Sequence, residues 1–504
     1  MKARLRACFR RERPGTFPEL NRSSTILLAG LSLAALWAGA CSQGIDLVRP
    51  EQAIPVRQWI AGDHHIHSRF SVGWDHSKTP PRPIVAGDAI YPIPMNALMG
   101  KFYGLGWMVA TDHGGPNHSK VSRDLAYPEL LMSRETVPDV LQFFGMELDT
   151  PGADHSSLII PHSSHEADDL VTIESGWAKN EAFPVDKQRN TEAKMIEALT
   201  FMRDMKLPPL VFANHPSRSA PKSGGYGSDD PAELRAWNNT APQVAVGMSG
   251  APGHQAAPLH RDGSLDPKGS RAGYSNRPTR GGYDQMTSVL GGFWDSMLGE
   301  GRRWWISANS DSHINWREGG SDFWPGEYCK TYVWAEQDYD DILDGLRNGR
   351  MFVTTGDLIC RLSVEVFALP QSAAIGGELL HAADEEVTVQ IRLQQPKTAN
   401  AHGDMPQLQR VDLIVGDVLG VSEDASLDHN PTTKVLKRFT EADWVRHGDE
   451  IFINYQLPKS QSNRYLRVRG TNTQELEPSV DPKGEDPWSD LWFYSNPIFL
   501  TVVE

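Results

Sequence analysis

Cysteine is scarce in this chain, with four residues in 504. No Cys-x-x-Cys spacing occurs, so a metal site in this chain is not thiolate-based. Beyond the N-terminal segment only Cys41, Cys329 and Cys360 remain, and a Cys329–Cys360 pair would not amount to a disulfide framework. Net positive charge is also lacking: the formal charge is −15, which argues against nucleic-acid binding, where clustered Lys and Arg must meet phosphates. There is no Gly-x-Ser-x-Gly elbow for a serine nucleophile and no Gly-x-x-x-x-Gly-Lys loop to cradle phosphates. What is present is an ordinary globular composition, 39% apolar and 22% charged, in a chain too long for one core, which implies two domains.

The first forty residues differ from the rest. Lys2, Arg4, Arg6, Arg10, Arg11, Arg13 and Arg22 face only Glu12 and Glu19, and an apolar run of 16 residues follows, Thr25–Ala40. The run is short for a membrane span, and its basic flank and small closing residues Ala38-Gly39-Ala40 read as a secretory signal over residues 1–40. The small residues before Cys41 resemble a bacterial lipoprotein signal, in which that cysteine is lipidated and attaches the chain to a membrane. Leucine is usual where Ala38 stands, and ordinary cleavage near Ala40 is the alternative. Either implies an exported, periplasmic or lipid-anchored protein, with 41–56 as a linker.

From 57 to 356, short apolar runs alternate with helical spacing. Val56–Ala61, Trp107–Thr111, Leu141–Gly145, Leu158–Pro161, Leu210–Ala213, Val244–Gly247 and Trp304–Ser307 read as strands covered on both faces. Thr191–Met205 and Asp338–Arg347 read as helices, the second with Ile342, Leu343 and Leu346 on one face. This alternation predicts an α/β fold, a barrel or a doubly wound sheet. From 357 to 504 the segments are short and β-like, among them Leu362–Phe367, Glu386–Leu393, Val411–Val415 and Tyr465–Gly470, and predict a β-sandwich accessory domain. Pro216–Gly282 is rich in Gly, Pro, Ser and Arg, with one helix candidate at Ala232–Trp237; a loop this long in a compact domain is functional or disordered.

The chemistry sits beside the strands. Asp63-His64-His65-Ile66-His67 ends the first, and in an extended chain His65 and His67 point to one side, where they can share an ion. Asp112-His113 and Glu147 follow the second and third, Asp154-His155 precedes the fourth, His215 ends the fifth, and Asp311-Ser312-His313 follows the last. Histidine and carboxylate ligands without thiolate suit Zn, Mn or Fe.

In this order the set His65-x-His67, Asp112-His113, Glu147, His155, His215 and Asp311-x-His313 closely resembles the PHP (polymerase and histidinol phosphatase) superfamily of metallohydrolases, over roughly Gln58 to Gly356. The closing segment Gly349–Gly356, with Ser495-Asn496-Pro497-Ile498, is similar to the branch that includes carbaryl-type carbamate hydrolases. The resemblance implies a distorted (β/α)7 barrel holding two or three divalent ions. His65, His67, Glu147 and Asp311 would hold the first. Glu147 would bridge to a second, completed by His155 and His215. His113 and His313 would hold a third, for which Asp75 or His76 is the nearest further ligand. Asp63 and Asp112 would orient ligand rings by accepting their distal N–H, and His64 would face away.

Together these readings predict a metal-dependent hydrolase of a small-molecule ester, using a metal-bridging hydroxide as nucleophile. A phosphoester, mono- or diester, is the first expectation, and a carbamate or carboxyl ester is the alternative. Glu147, His215 and Asp311 are expected to carry turnover. Arg218 is the best-placed cation for an anionic substrate, with Lys222, Arg271, Arg277 and Arg280 as weaker options. A third reading is a non-catalytic metal-binding scaffold whose sandwich binds a surface.

Overall fold

The computed structural model describes residues 56–273 and 279–503. The expected signal, Cys41, nearly all of the 41–56 linker and Arg277 lie outside the described residues. Among the described residues, no helix is long and apolar enough to cross a membrane.

Seven strands lie side by side in the order of the chain: β1 (Gln58–Ile66), β2 (Trp107–His113), β3 (Leu141–Asp149), β4 (His155–Ile159), β5 (Leu210–Asn214), β6 (Ala245–Ala251) and β7 (Trp305–Ala308). Neighbours are parallel except β4, which runs antiparallel to both β3 and β5. At the far side Ile66 makes a parallel bridge to Ser312, just beyond β7, and His67 N–H donates to Ser312 O at 3.0 Å. Every residue of β5, β6 and β7 is buried, as strands covered on both faces require. The contact between β1 and β2 depends on Gly62: a Cβ there would fall 2.0 Å from the Trp107 ring, whose Nε1 donates to Ile60 O.

The helices follow their capping signals. Glu192–Arg203 starts at Thr191, whose side chain accepts from Lys194 N–H; Pro231–Thr240 starts at Asp230, with Pro231 in its first turn. Tyr339–Arg347 starts at Asp338 and buries Ile342, Leu343 and Leu346, the face its spacing predicts.

Several observed strands reach further than the apolar runs. β1 extends through the polar stretch Asp63–Ile66, β4 begins at His155 rather than Leu158, and β6 continues to Ala251. Polar ligands buried at strand ends interrupt the hydrophobic signal without interrupting the backbone ladder. The expected boundary at Gly356 is not a break in the sheet either. β8 (Cys329–Ala335) pairs antiparallel with β1 and with β9 (Met351–Thr355), and β9 pairs in turn with β10 (Trp492–Ser495). Through β10 the same mixed sheet of 15 strands continues into the C-terminal region. A separate antiparallel sheet of five strands, including Arg361–Ala368, Thr388–Gln394 and Glu450–Gln456, alternates buried and outward residues; Leu362, Val364, Val366, Val389, Ile391 and Ile453 face the core.

Pro216–Gly282 is ordered where described. It contains Pro231–Thr240 and β6, and its last part is tied to the C-terminal region. Arg271 is buried, with its guanidinium against Asp490, Glu485 and the Tyr328 hydroxyl, and the Asp481 carboxylate accepts from Thr279 Oγ1 and from the N–H groups of Gly281 and Gly282.

Candidate metal centre

The strand order carries every motif residue to one edge. β1, β2, β3, β5, β6 and β7 end there, and β4, being antiparallel, begins there, so the His155 that precedes its apolar run meets the residues that follow the others.

Glu147 is at the middle. Its Oε1 lies 3.1 Å from His65 Nε2, 3.1 Å from His215 Nε2 and 3.2 Å from His155 Nδ1; its Oε2 lies 2.9 Å from His113 Nδ1 and 3.6 Å from His67 Nε2. Asp311 faces the same rings from the other side, with Oδ1 3.1 Å from His65 Nε2 and 3.0 Å from His67 Nε2. His313 Nε2 lies 3.2 Å from His113 Nε2. All eight expected ligands are therefore in one cluster. Within it, His65, His67, Glu147 and Asp311 have donor atoms close enough to share one ion, as do His113, Glu147 and His155, and His67, His113 and His313.

The chemistry of the set fits divalent cations. Glu147 and Asp311 are buried, and Glu147 Oε2 and Asp311 Oδ1 have no hydrogen-bond partner, although ring nitrogens stand within 3.0 Å of each. Nitrogens near an oxygen but out of hydrogen-bond alignment are what lone pairs converging on a common centre look like. Leaving such carboxylates buried and uncompensated is costly. Burial would push both carboxyls up, but His155, His65 and His113 around Glu147, and His254 and His65 around Asp311, hold each well below the usual range, ionised as a ligand must be. Burial and Arg218 push His215 down to about 4, whereas Glu147 and Asp149 raise His155 against its burial.

The backbone is unusual at this edge. His215, His254 and Asp311 adopt left-handed φ of 32°, 58° and 47°, a conformation a non-glycine residue keeps only where its surroundings impose it.

Second-layer contacts differ from the expected ring orientation. Asp63 accepts from the backbone N–H of His65 and of Ser310, both at 3.0 Å, so it joins the ends of β1 and β7 rather than gripping a ring. Asp112 reaches a ring through an intermediary: His67 Nδ1 lies 2.8 Å from Ser71 Oγ, which donates to Asp112 Oδ1. His64 points away, 2.7 Å from Ser307 Oγ and stacked on Phe212.

Not every other expected residue stands at this edge. Asp75 and His76 are not at the centre: Asp75 lies on the short strand Gly73–Asp75, accepting from Ser77 N–H, and both it and His76 are exposed or half-exposed. Asp88 comes nearer, its Oδ2 3.6 Å from both His113 Nε2 and His313 Nε2. Arg218 is at the centre but faces a carboxylate, with Nε and a terminal nitrogen 2.9 and 2.6 Å from Asp154. Arg271 belongs to the buried ion-pair group and not to the centre.

Sequence reasoning missed Asp88, His254 and Asp322. His254 lies three residues beyond β6, whose apolar signal fades at Gly247, seven residues before it. Asp88 follows no predicted strand, and Asp322 lies in the loop after Asp311-x-His313.

The cluster opens into a cavity of about 320 Å³ lined by His113, His313, Asp88, Arg218, His254 and Ser321 among others. A larger groove of about 530 Å³ runs beside Trp59 and Trp334 over the five-stranded sheet; it contains no histidine and lies apart from the ligand cluster, so the smaller cavity is the candidate site. No protein-family model matches the chain, and no curated protein matches its sequence.

Proposed function

We propose that this protein is a metal-dependent hydrolase acting on a small-molecule ester, with two or three divalent ions held by His65, His67, His113, Glu147, His155, His215, Asp311 and His313. One observation carries the reading: two buried carboxylates, each with an oxygen lacking any hydrogen bond, stand among six imidazoles at the edge of an open cavity. Ions bound there would acidify a water and polarise the ester. The chain itself supplies the imidazole and carboxylate donors and the cavity that admits the ester.

The resemblance to the polymerase and histidinol phosphatase superfamily supports the same reading, and with it a distorted (β/α)7 barrel. Seven strands in chain order, the Ile66–Ser312 bridge and ligands gathered at one end are what that architecture would require.

Phosphoester hydrolysis is the first reading of the substrate, because it is the commonest activity the resemblance implies. A specific observation favours a neutral carbamate or carboxyl ester instead. Asp88, Asp311 and Asp322 line the cavity, while the guanidinium of Arg218 is engaged by Asp154. Side-by-side turnover of aryl phosphomonoesters, phosphodiesters and aryl carbamates by Zn- or Mn-loaded protein tests both. Cleavage of none of them, with metal bound, would count against the hydrolase reading.

A further inference from the structure

His254 is outside the set of ligands that the motifs announce, yet its ring reaches the centre. Its Nδ1 is hydrogen-bonded to Asp322 Oδ1, and its Nε2 lies 2.9 Å from Asp311 Oδ2. The other oxygen of Asp311 is the one that faces His65 and His67. The Asp311 carboxylate thus divides its two oxygens between the ligand cluster and His254.

Asp322 anchors the loop after His313. Its Oδ2 accepts from the backbone N–H groups of His313 at 2.7 Å and Ile314 at 3.0 Å; its Oδ1 accepts from Ser321 Oγ at 3.1 Å and meets His254. Four donors fill the sites a carboxylate offers. Nδ1 of His254 is occupied by that anchor, so only Nε2 remains, directed at Asp311. The loop leaves the ring little freedom: a Cβ on Gly253 would fall 2.1 Å from Asp311 Cβ and 2.3 Å from Ser310 O, so the backbone beside His254 lies directly on the segment that carries Asp311.

We infer that His254 is a positioning residue of the metal centre: anchored by Asp322, its Nε2–H holds Asp311 Oδ2 and thereby turns Oδ1 toward His65 and His67. The inference rests on the metal-centre reading above. A histidine that orients a ligating carboxylate extends the ordered shell one step beyond the donors themselves, where loss of such a partner weakens metal binding about 10–100-fold.

The test measures metal, not turnover. Chelator-stripped full-length protein is titrated with Zn²⁺ against a competing fluorescent chelator, and metal per chain at saturation is measured by mass spectrometry, for the unsubstituted chain, His65→Ala, His254→Ala and His254→Gln. Circular dichroism checks that each variant is folded. His254→Ala is expected to keep the saturating stoichiometry and bind about 10–100-fold more weakly. His254→Gln, whose amide can donate to Asp311, is expected to recover most of that loss, and it carries the test if the alanine variant misfolds. Unchanged affinity in His254→Ala, with metal lost in His65→Ala, would overturn the inference and leave the metal centre standing. Unchanged metal content in His65→Ala would overturn the centre itself. Loss of one equivalent at saturation in His254→Ala would make His254 a direct ligand, and a glutamine variant no better than alanine would remove the hydrogen-bond basis; either result overturns the positioning role.

Discussion

Arg218 holds Asp154 through two nitrogens at 2.9 and 2.6 Å, and Asp154 Oδ2 in turn lies 3.7 Å from His215 Nδ1. The arginine expected to meet an anionic substrate is therefore also the counter-charge of the carboxylate behind a proposed metal ligand. Charge-assisted two-pronged pairs of this kind are geometrically exacting.

That arrangement changes what Arg218→Ala should do. Acting through Asp154 and His215, the substitution should lower kcat about 10–100-fold on charged and neutral esters alike, and Asp154→Asn should do the same. The double variant should lose little more than either single one, because the two residues act as a unit. Steady-state kinetics on an aryl phosphate and an aryl carbamate check this. A rise in KM confined to the phosphate would return Arg218 to the role of an anion contact.

Removing the central carboxylate should be more severe than removing any ring. Glu147 faces His65, His215, His155 and His113 at 2.9–3.2 Å, so Glu147→Ala should abolish turnover and lower metal per chain, measured by mass spectrometry on dialysed protein. Full metal content with full activity would refute its central position.

Stability should depend on alkaline pH through a pair outside the proposed ligand set. His118 and Glu174 are both buried, with Nδ1 2.7 Å from Oε1, while His118 Nε2 meets Phe70 O at 2.9 Å. Burial opposes the charge on His118, but Glu174 outweighs it and raises the ring to about 9. A group whose pKa is raised by folding stabilises fully below its unfolded value, about 6.5, and loses that contribution as pH rises through about 9. Chemical denaturation of chelated protein should therefore show unfolding free energy falling by up to a few kcal/mol between those limits. His118→Gln should flatten that slope. An unchanged slope in the variant would exclude the pair as its source.

Gly253→Ala should disturb the centre more than the fold. Its Cβ would meet Asp311 and Ser310, so either the loop or the ligand must shift. Weaker Zn²⁺ binding with a small change in Tm is expected, because overpacking one loop costs about 1–3 kcal/mol. Loss of Tm without loss of affinity would show that the loop is structural only.

Much of the centre is legible in the sequence because parallel strands present their ends together. His65, His67, His113, Glu147, His215, Asp311 and His313 all follow apolar runs, and each can be read from the residue type at that boundary. Asp88, His254 and Asp322 cannot: one follows no predicted strand, one follows a strand whose signal fades early, and one acts through the loop it ties down. The same limit applies to the fold. The helix Tyr339–Arg347 carries its cap and its buried face in its own residues. The ladder between Met351–Thr355 and Trp492–Ser495 has no local signature, since pairing across well over a hundred residues is decided by tertiary packing.

That ladder has a consequence for how the chain is made. Every proposed ligand from His65 to His313 leaves the ribosome long before Trp492–Ser495, the strand that flanks β9. Until it arrives, Met351–Thr355 is an open edge, a surface that invites pairing with other chains, and the Arg271 group lacks its acidic partners. Recombinant pieces cut near Gly356 would stay in that unfinished condition, so a piece ending there should aggregate more readily than the full chain.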